Sequence, residues 1–502
     1  MSLLSESDLN DFISPALACT KPTEIKRTKL PTHVNAQGEY EVGIDDGTED
    51  AELAKVSITL SDCLACSGCI TSSEEIMLQQ QSHGVFLEAM KNRDPTTQAL
   101  GVSISPQCRL SMAQHYSMTI PQFDVCLSNF FHTRFGATYV VGTQLGRDVC
   151  IQQTVAKLQD HKRAHPEDTT PRLSATDPGF VIYTEKTKGD LVPLLLNVKS
   201  PQQITGALLH AAHSRATGPA GPALYHLGIM ACFDKKLEAA RPDTQGEVDC
   251  VITPKEVVAL LQEIGETLEQ YAVPEEAASQ LLTRLSPPGW DPAAHWANNA
   301  GGHSGGVAFQ YVRAAQRAHP DPAATRLRTL RGRNSNVVEH RLEDARTGAR
   351  IAAAAELSGF RNIQNMVRHL QRVSGAGNTK FPKRRVQSLR KRGGEGEGNA
   401  SSAATTAPGD IASPYTCDYI EVSAAPGGCI NGSGLLTEGA STVQRRQATA
   451  ALAAAFDAAF PLVDPLAPLP QGIAADVAPA YEYAFRPAEE RRSDIVSVGN
   501  TW

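Results

Sequence analysis

From about residue 130 onward, short apolar runs alternate with helix-like stretches. The runs ATYVVGT (137–143), ALYHLGIMAC (223–232) and DCVIT (249–253) read as strands, and their alternation with helical segments predicts an α/β body. Two helix starts are well marked. Ser200-Pro201-Gln202-Gln203 and Thr253-Pro254-Lys255-Glu256 each supply a capping hydroxyl, a proline at the first helical position and an amide or acid at the third. Further on, ATAALAAAFDAAF, within the Ala- and Pro-rich stretch 448–480, is a good helix former.

The pattern breaks at 374–410, where KRR (383–385) and RKR (390–392) precede GGEGEGNASSAATTAPGD. This composition predicts a disordered insertion, and its basic clusters read as a solvated linker or a nuclear import signal. The expected organisation is an N-terminal unit at 1–110, a body at 111–373 resumed at 411–480, the insertion between them, and a tail at 481–502. The stretch near 286–330 reads as loop-rich.

With 502 residues, 41% hydrophobic and 20% charged, the chain can bury a large core, which excludes a wholly disordered or collagen-like protein. A formal charge of -7 argues against wrapping nucleic acid as the main task. No apolar run approaches the roughly 18 residues of a membrane span, and the start MSLLSESDLNDF carries acids where a signal peptide carries bases. The expectation is a soluble protein of the cytosol or nucleus. Eleven cysteines are too sparse for a disulfide scaffold, so clustered thiols point to metal or chemistry.

The strongest such cluster is DCLACSGC (62–69). Cys63, Cys66 and Cys69 form Cys-x-x-Cys-x-x-Cys, a spacing that lets one tight loop aim three thiolates at a polynuclear iron-sulfur centre. A fourth thiolate is needed, and the position four residues after Cys69 is Ser73, so Cys19 and Cys108 are the candidates. A structural zinc site is the alternative, although zinc usually takes two separated Cys-x-x-Cys pairs.

Three further segments stand out: LSATDPGFVIYTEK (173–186), MACFDKKLE (230–238) and YIEVSAAPGGCINGSG (419–434). In the last two, an apolar strand runs into a loop bearing Cys232 or Cys429. Strand ends in open α/β sheets converge on one crevice, so distant loops can share a site. Taken alone, either cysteine reads as a small buried apolar side chain.

Together with VKSPQQITG (198–206), SGFRNIQN (358–365) and the N-terminal cysteines, these segments resemble the eukaryotic iron-only hydrogenase-like family, the nuclear prelamin A recognition factor-like group, and within it the branch acting in cytosolic iron-sulfur protein assembly. The resemblance implies a two-lobed α/β body with one four-iron four-sulfur cluster between the lobes and a second, more exposed cluster in a small N-terminal unit. It further implies a non-enzymatic adaptor that links an early scaffold of paired P-loop NTPases to a late targeting complex, a β-propeller subunit and its partners, for cytosolic and nuclear apoproteins. Neither direct nucleic-acid binding nor a membrane partner is expected.

Carried over by position, the exposed cluster falls to Cys19, Cys63, Cys66 and Cys69, and the family pattern has Ser where this chain has Cys108. The cluster between the lobes falls to Cys232 and Cys429, while two further family cysteines are replaced by Asp177 and Ala425. Asp177 offers a carboxylate ligand or a helix cap before Pro178, and Ala425 has no donor, so the site is either partly or wholly empty or is completed by another thiol such as Cys417. The resemblance also implies that the terminal aromatic, Trp502, docks on the targeting complex; a free end is the alternative. Two other functions compete. One is an iron-only hydrogenase, for which Cys429 could bridge to a two-iron subsite although Thr176 stands at the proton-relay position; the other is a zinc-bound interaction module.

Overall fold

The strands of the body form two main sheets, and two short two-stranded pairings stand apart from them. The computed structural model describes residues 81–175, 177–241, 246–373, 412–436, 442–470, 473 and 481–487, together with the backbone of 33–34 and 40–41. Its strands are β1 (Gln98–Ile104), β2 (Tyr139–Gly142), β3 (Arg172–Ala175), β4 (Ala223–Ile229), β5 (Cys250–Ile252), β6 (Asn298–Asn299), β7 (Thr325–Arg331), β8 (Val337–Asp344), β9 (Arg350–Ser358), β10 (Tyr419–Ser423) and β11 (Leu462–Val463). The first sheet has the order β2-β1-β4-β5 and is parallel throughout. The second has the order β3-β10-β9-β8-β7, in which β3, β10 and β9 are parallel and β8 and β7 form an antiparallel flank. A parallel sheet must be covered on both faces, and Leu100, Val102 and Ile104 of β1 accordingly have no exposed surface.

The main helices are α1 (His83–Asn92), α2 (Pro106–His115), α3 (Ile120–Phe135), α4 (Gln144–Ala164), α5 (Pro178–Thr187), α6 (Pro201–Thr217), α7 (Asp234–Ala239), α8 (Pro254–Ile264), α9 (Glu275–Arg284), α10 (Pro292–His295), α11 (Val307–Ala318), α12 (Phe360–Val373) and α13 (Thr442–Ala459). The two signalled helix starts form as expected. Thr253 Oγ1 accepts from the Glu256 amide (3.4 Å) while the Glu256 carboxylate accepts from the Thr253 amide (2.9 Å), and Ser200 Oγ accepts from the Gln203 amide (3.5 Å). On the first sheet, α1 and α3 contribute Phe86, Phe130, Phe131 and Phe135, which meet edge to face. On the second, Phe360, Ile363, Met366, Val367 and Leu370 of α12 recur at helical spacing and bury against Leu173, Ile420 and Val422.

Several expected boundaries move. Residue 110 falls inside α2, and β1 lies in the middle of the first sheet, so the body begins well before 111. At the other end, residues 481–487 pack on the body: the Lys199 amide donates to Tyr481 O (2.7 Å), the Arg486 amide donates to Glu185 (3.1 Å), and Tyr483 is buried. A tail starting at 481 therefore cuts a packed segment. The stretch 286–330 holds α11 and β7 rather than mainly loop. The expected insertion at 374–410 lies outside the described residues.

Two histidines are buried as neutral rings. His226 Nδ1 donates to Glu247 O (2.7 Å), leaving Nε2 to accept from Ser103 Oγ (2.8 Å), and burial lowers its pKa to about 4. His295 Nδ1 accepts from the Gly142 amide (3.3 Å), Nε2 donates to Ser286 Oγ (2.8 Å), and burial lowers its pKa to about 3. A depressed folded pKa contributes stability that is present above the ordinary histidine value and lost as pH falls toward the folded one. For His226 the loss between pH 6.5 and 4 is up to about 3 kcal/mol. Asp148, raised by burial to about 7, acts in the opposite sense, so variant and parent are compared over the same range. Denaturant unfolding of His226→Gln is expected to show a flatter loss of stability between pH 6.5 and 4 than the parent.

Candidate metal centre between the lobes

Three strand ends deliver the site residues. The chain leaves β3 into Asp177, leaves β4 into Met230, Ala231 and Cys232, and leaves β10 into Ala424, Ala425 and Cys429. Backbone contacts hold these loops together. The Gly434 amide donates to Ala231 O (3.0 Å), and a side-chain carbon on Gly432 would lie 2.3 Å from that same oxygen. Gly428 has φ +76°, and a carbon there would lie 1.9 Å from Ser304 Oγ, so glycine is required for both conformation and space.

Asp177 is buried at the start of α5, where its Oδ2 accepts from Ser423 Oγ (2.6 Å) and from the Ala424 amide (2.9 Å). The sequence offers it as a carboxylate ligand or as a cap for its own helix; its hydrogen bonds run across to the end of β10, and the Phe180 amide of α5 also acts on its carboxylate although no full side-chain cap bond forms. Burial raises its pKa, opposed by these two hydrogen bonds, by Lys235 and by the Phe180 amide. Cys429 donates its amide to Ser304 Oγ (3.0 Å) and its thiol to Ser304 O (3.8 Å). Burial, then the Asp177 charge, pushes the Cys429 thiol up to about 12. Burial, then Asp234, then Cys429, pushes the Cys232 thiol well above its ordinary value. Asp177, Cys232 and Cys429 thus share one electrostatic neighbourhood, as the converging strand ends predict.

The other candidates do not join them. Cys417 is buried against Ala353 and Ala355, among Glu339, Arg341 and Arg350, on a different part of the second sheet. Cys108 lies within α2, accepts from Ser105 Oγ (3.2 Å) and is raised by burial to about 12, with the Cys429 thiol also acting on it; it packs in the cluster that holds Ala231 and Ile430, and so borders the site without completing a ligand set. Among the described residues, no three His, Cys, Asp or Glu side chains are placed to hold one metal ion. Cys19, Cys63, Cys66, Cys69, Thr176 and Trp502 lie outside the described residues.

Sequence reading missed the charges around the site. Asp234, Lys235, Lys236 and Glu238 of α7 are all buried, although DKKLE has the composition of an exposed helix face. Lys235 Nζ pairs with Glu238 (2.6 Å). Lys236 Nζ donates to Gln81 O and to Glu256 (both 2.6 Å). Just beyond α7, Arg241 reaches both oxygens of Glu185 (2.9 and 3.0 Å). Arg147 of α4 is buried, donates to Asn298 Oδ1 (2.8 Å) and Gly305 O (3.0 Å), and with Cys150 lines a small cleft beside the end of β3. The two adjacent basic residues following Cys232 were the only signal of this in the sequence.

The family described as "Iron only hydrogenase large subunit, C-terminal domain" matches residues 98–433. The chain is 51% identical over 509 residues to "Cytosolic Fe-S cluster assembly factor NAR1" of Saccharomyces cerevisiae, with 100% of both chains covered. It is 46% identical over 499 residues to the Eremothecium gossypii protein of the same name, with 99% of each covered. Among solved structures, an apo FeFe-hydrogenase from Chlamydomonas reinhardtii matches with a TM-score of 0.54 and 19% identity, covering 81% of this chain and 99% of that one; this likeness concerns the fold alone. No helix of the described residues is long and apolar enough to cross a membrane.

Removing one member of a buried ion pair strands the other charge, which costs about 3–5 kcal/mol. Lys236→Met is expected to destabilise the body by that amount in guanidinium unfolding. Adding Glu256→Gln should recover part of the loss, because the amide keeps an acceptor for Thr253 and carries no stranded charge.

Proposed function

Because the chain belongs to the iron-only hydrogenase-like family of cytosolic Fe-S cluster assembly factors, we propose that it serves as an iron-sulfur adaptor in cytosolic iron-sulfur protein assembly rather than as a hydrogenase. The observation that carries this reading is the end-to-end similarity to the yeast assembly factors. A four-iron four-sulfur cluster on Cys19, Cys63, Cys66 and Cys69 fits the Cys-x-x-Cys-x-x-Cys run, and such a group supplies a redox-active, oxygen-sensitive centre when bound. The two-lobed body then acts as the docking platform. Its partners are, upstream, a P-loop NTPase scaffold and, downstream, a targeting complex with a β-propeller subunit, for which Trp502 offers a large apolar side chain. Cytosol, with access to the nucleus, is the compartment this role requires.

Hydrogenase chemistry is disfavoured by the residues themselves. Ala425 cannot ligate iron, and among the described residues the inter-lobe neighbourhood of Cys429 holds the thiols of Cys232 and Cys108, fewer than a four-cysteine cage needs. Cys63→Ala or Cys66→Ala is expected to abolish visible absorption of the anaerobically reconstituted protein. Cys19→Ala should do the same, and Cys108→Ala should leave it intact. Hydrogen evolution with a strong reductant is expected to be absent. Measured hydrogen would replace this reading with the enzymatic one, and stoichiometric zinc without acid-labile sulfide would replace it with a zinc module.

A further inference from the structure

The donor set between the lobes does not fit a four-iron cluster. Four thiolates are needed, whereas this neighbourhood offers the thiols of Cys232 and Cys429, a third thiol, Cys108, that packs in the first-lobe core and takes the Ser105 hydroxyl, the carboxylate of Asp177, and at residue 425 only a methyl group. No three metal-binding side chains among the described residues are placed to share an ion, and Cys417 lies in another part of the second sheet. The donors present are also committed elsewhere. Asp177 Oδ2 already accepts two hydrogen bonds, and the amide and thiol of Cys429 are both directed at Ser304. Asp177 Oδ1 has no hydrogen-bond partner, but it sits beside Gly179, where a side-chain carbon would lie 2.9 Å from Asp234 Oδ2 and 3.1 Å from Ala424 Cβ. The two small clefts that open near the end of β3 are lined by neither Asp177, Cys232 nor Cys429.

We infer that this chain is a one-cluster protein whose body carries no iron-sulfur cluster, and that Asp177 acts there as a strut tying the end of β3 to the end of β10. The inference rests on the reading of an N-terminal cluster given above. β3 is an edge strand, paired only with β10 in its sheet, and Leu173 and Ala175 complete one side of the apolar layer under α5 and α12. The Asp177 carboxylate continues the contact past the last pair of the ladder, Ala175 and Val422, by taking the hydroxyl of Ser423 and the amide of Ala424. Lys235 supplies compensating positive charge nearby. A carboxylate that accepts two hydrogen bonds in a closed interior does the mechanical work of a bridging group without any metal.

The test is iron and acid-labile sulfide on the full chain after anaerobic reconstitution, with far-UV circular dichroism and thermal unfolding followed in parallel. The parent is expected to hold about four of each. Cys63→Ala/Cys66→Ala/Cys69→Ala is expected to hold close to none, with an unchanged dichroism spectrum. About four iron and four sulfide remaining in that triple variant would overturn the inference. A parent without iron would instead overturn the N-terminal cluster and still support a cluster-free body. Asp177→Ala should lower the unfolding midpoint by several degrees with iron content unchanged, whereas Asp177→Asn, whose amide oxygen still accepts from Ser423 and Ala424, should keep most of the parent midpoint. Loss of iron in Asp177→Asn, or a parent-like midpoint in Asp177→Ala, would overturn the strut; if Asp177→Ala does not fold, Asp177→Asn and the triple variant carry the test.

Discussion

The interior of this protein depends on a short helix of charges from which water is excluded. In α7, Asp234, Lys235, Lys236 and Glu238 are buried between elements of both sheets. Charges in such a place persist only if each is paired and hydrogen-bonded. The partners come from far along the chain: Glu256 at the start of α8, Glu185 at the end of α5 for neighbouring Arg241, and the carbonyl of Gln81 ahead of α1. The amides of Gln202 and Gln203 in α6 reach the α7 carbonyls of Lys235 and Glu238. Pairing of this kind adds little net stability compared with an apolar core, but it makes any other arrangement of the lobes costly, since a slip would strand several charges at once.

Much of the fold could be read from the chain because local and global preferences agree. Apolar runs at 139–142, 223–229 and 250–252 became strands, and the serine and threonine caps at 200 and 253 start helices. What the chain does not reveal locally has physical causes. Ile351-Ala352-Ala353-Ala354-Ala355 has the local preference of a helix, yet it is the middle of β9, where small side chains let α11 pack closely on the sheet. The helix α7 has the composition of a surface and the burial of a core, a mismatch that no periodicity reports. Gly301, Gly302, Gly305 and Gly306 in AGGHSGG suggest loop, and that loop is present, but it caps the amphipathic helix α11 directly after it.

The site was legible to a different degree at each position. Cys232 and Cys429 were found because each follows an apolar strand, and the strand-end rule places them in one neighbourhood. Asp177 was found, but its bonds were not, since a residue before proline at a helix start looks like a cap whether its carboxylate points back along its own helix or across a sheet. Ser304 carried no signal at all. It is defined only by the approach of the glycine before Cys429, a contact made across more than a hundred residues.

The strand order of the second sheet has a bearing on how the chain is made. The first sheet is complete once residue 252 has emerged, whereas β10 is inserted between β3 and β9 and begins only at residue 419. During synthesis from one end, β3 has no neighbour in its sheet from residue 175 until that point, and the hairpin strands β7, β8 and β9 form a separate ribbon with an open side at β9. Both unpaired edges are parallel-type and apolar, the kind that recruits other chains. Late closure by a central strand therefore makes the second lobe the slow-folding and aggregation-prone half of the molecule, and the ribosome-bound chain the state most in need of a chaperone.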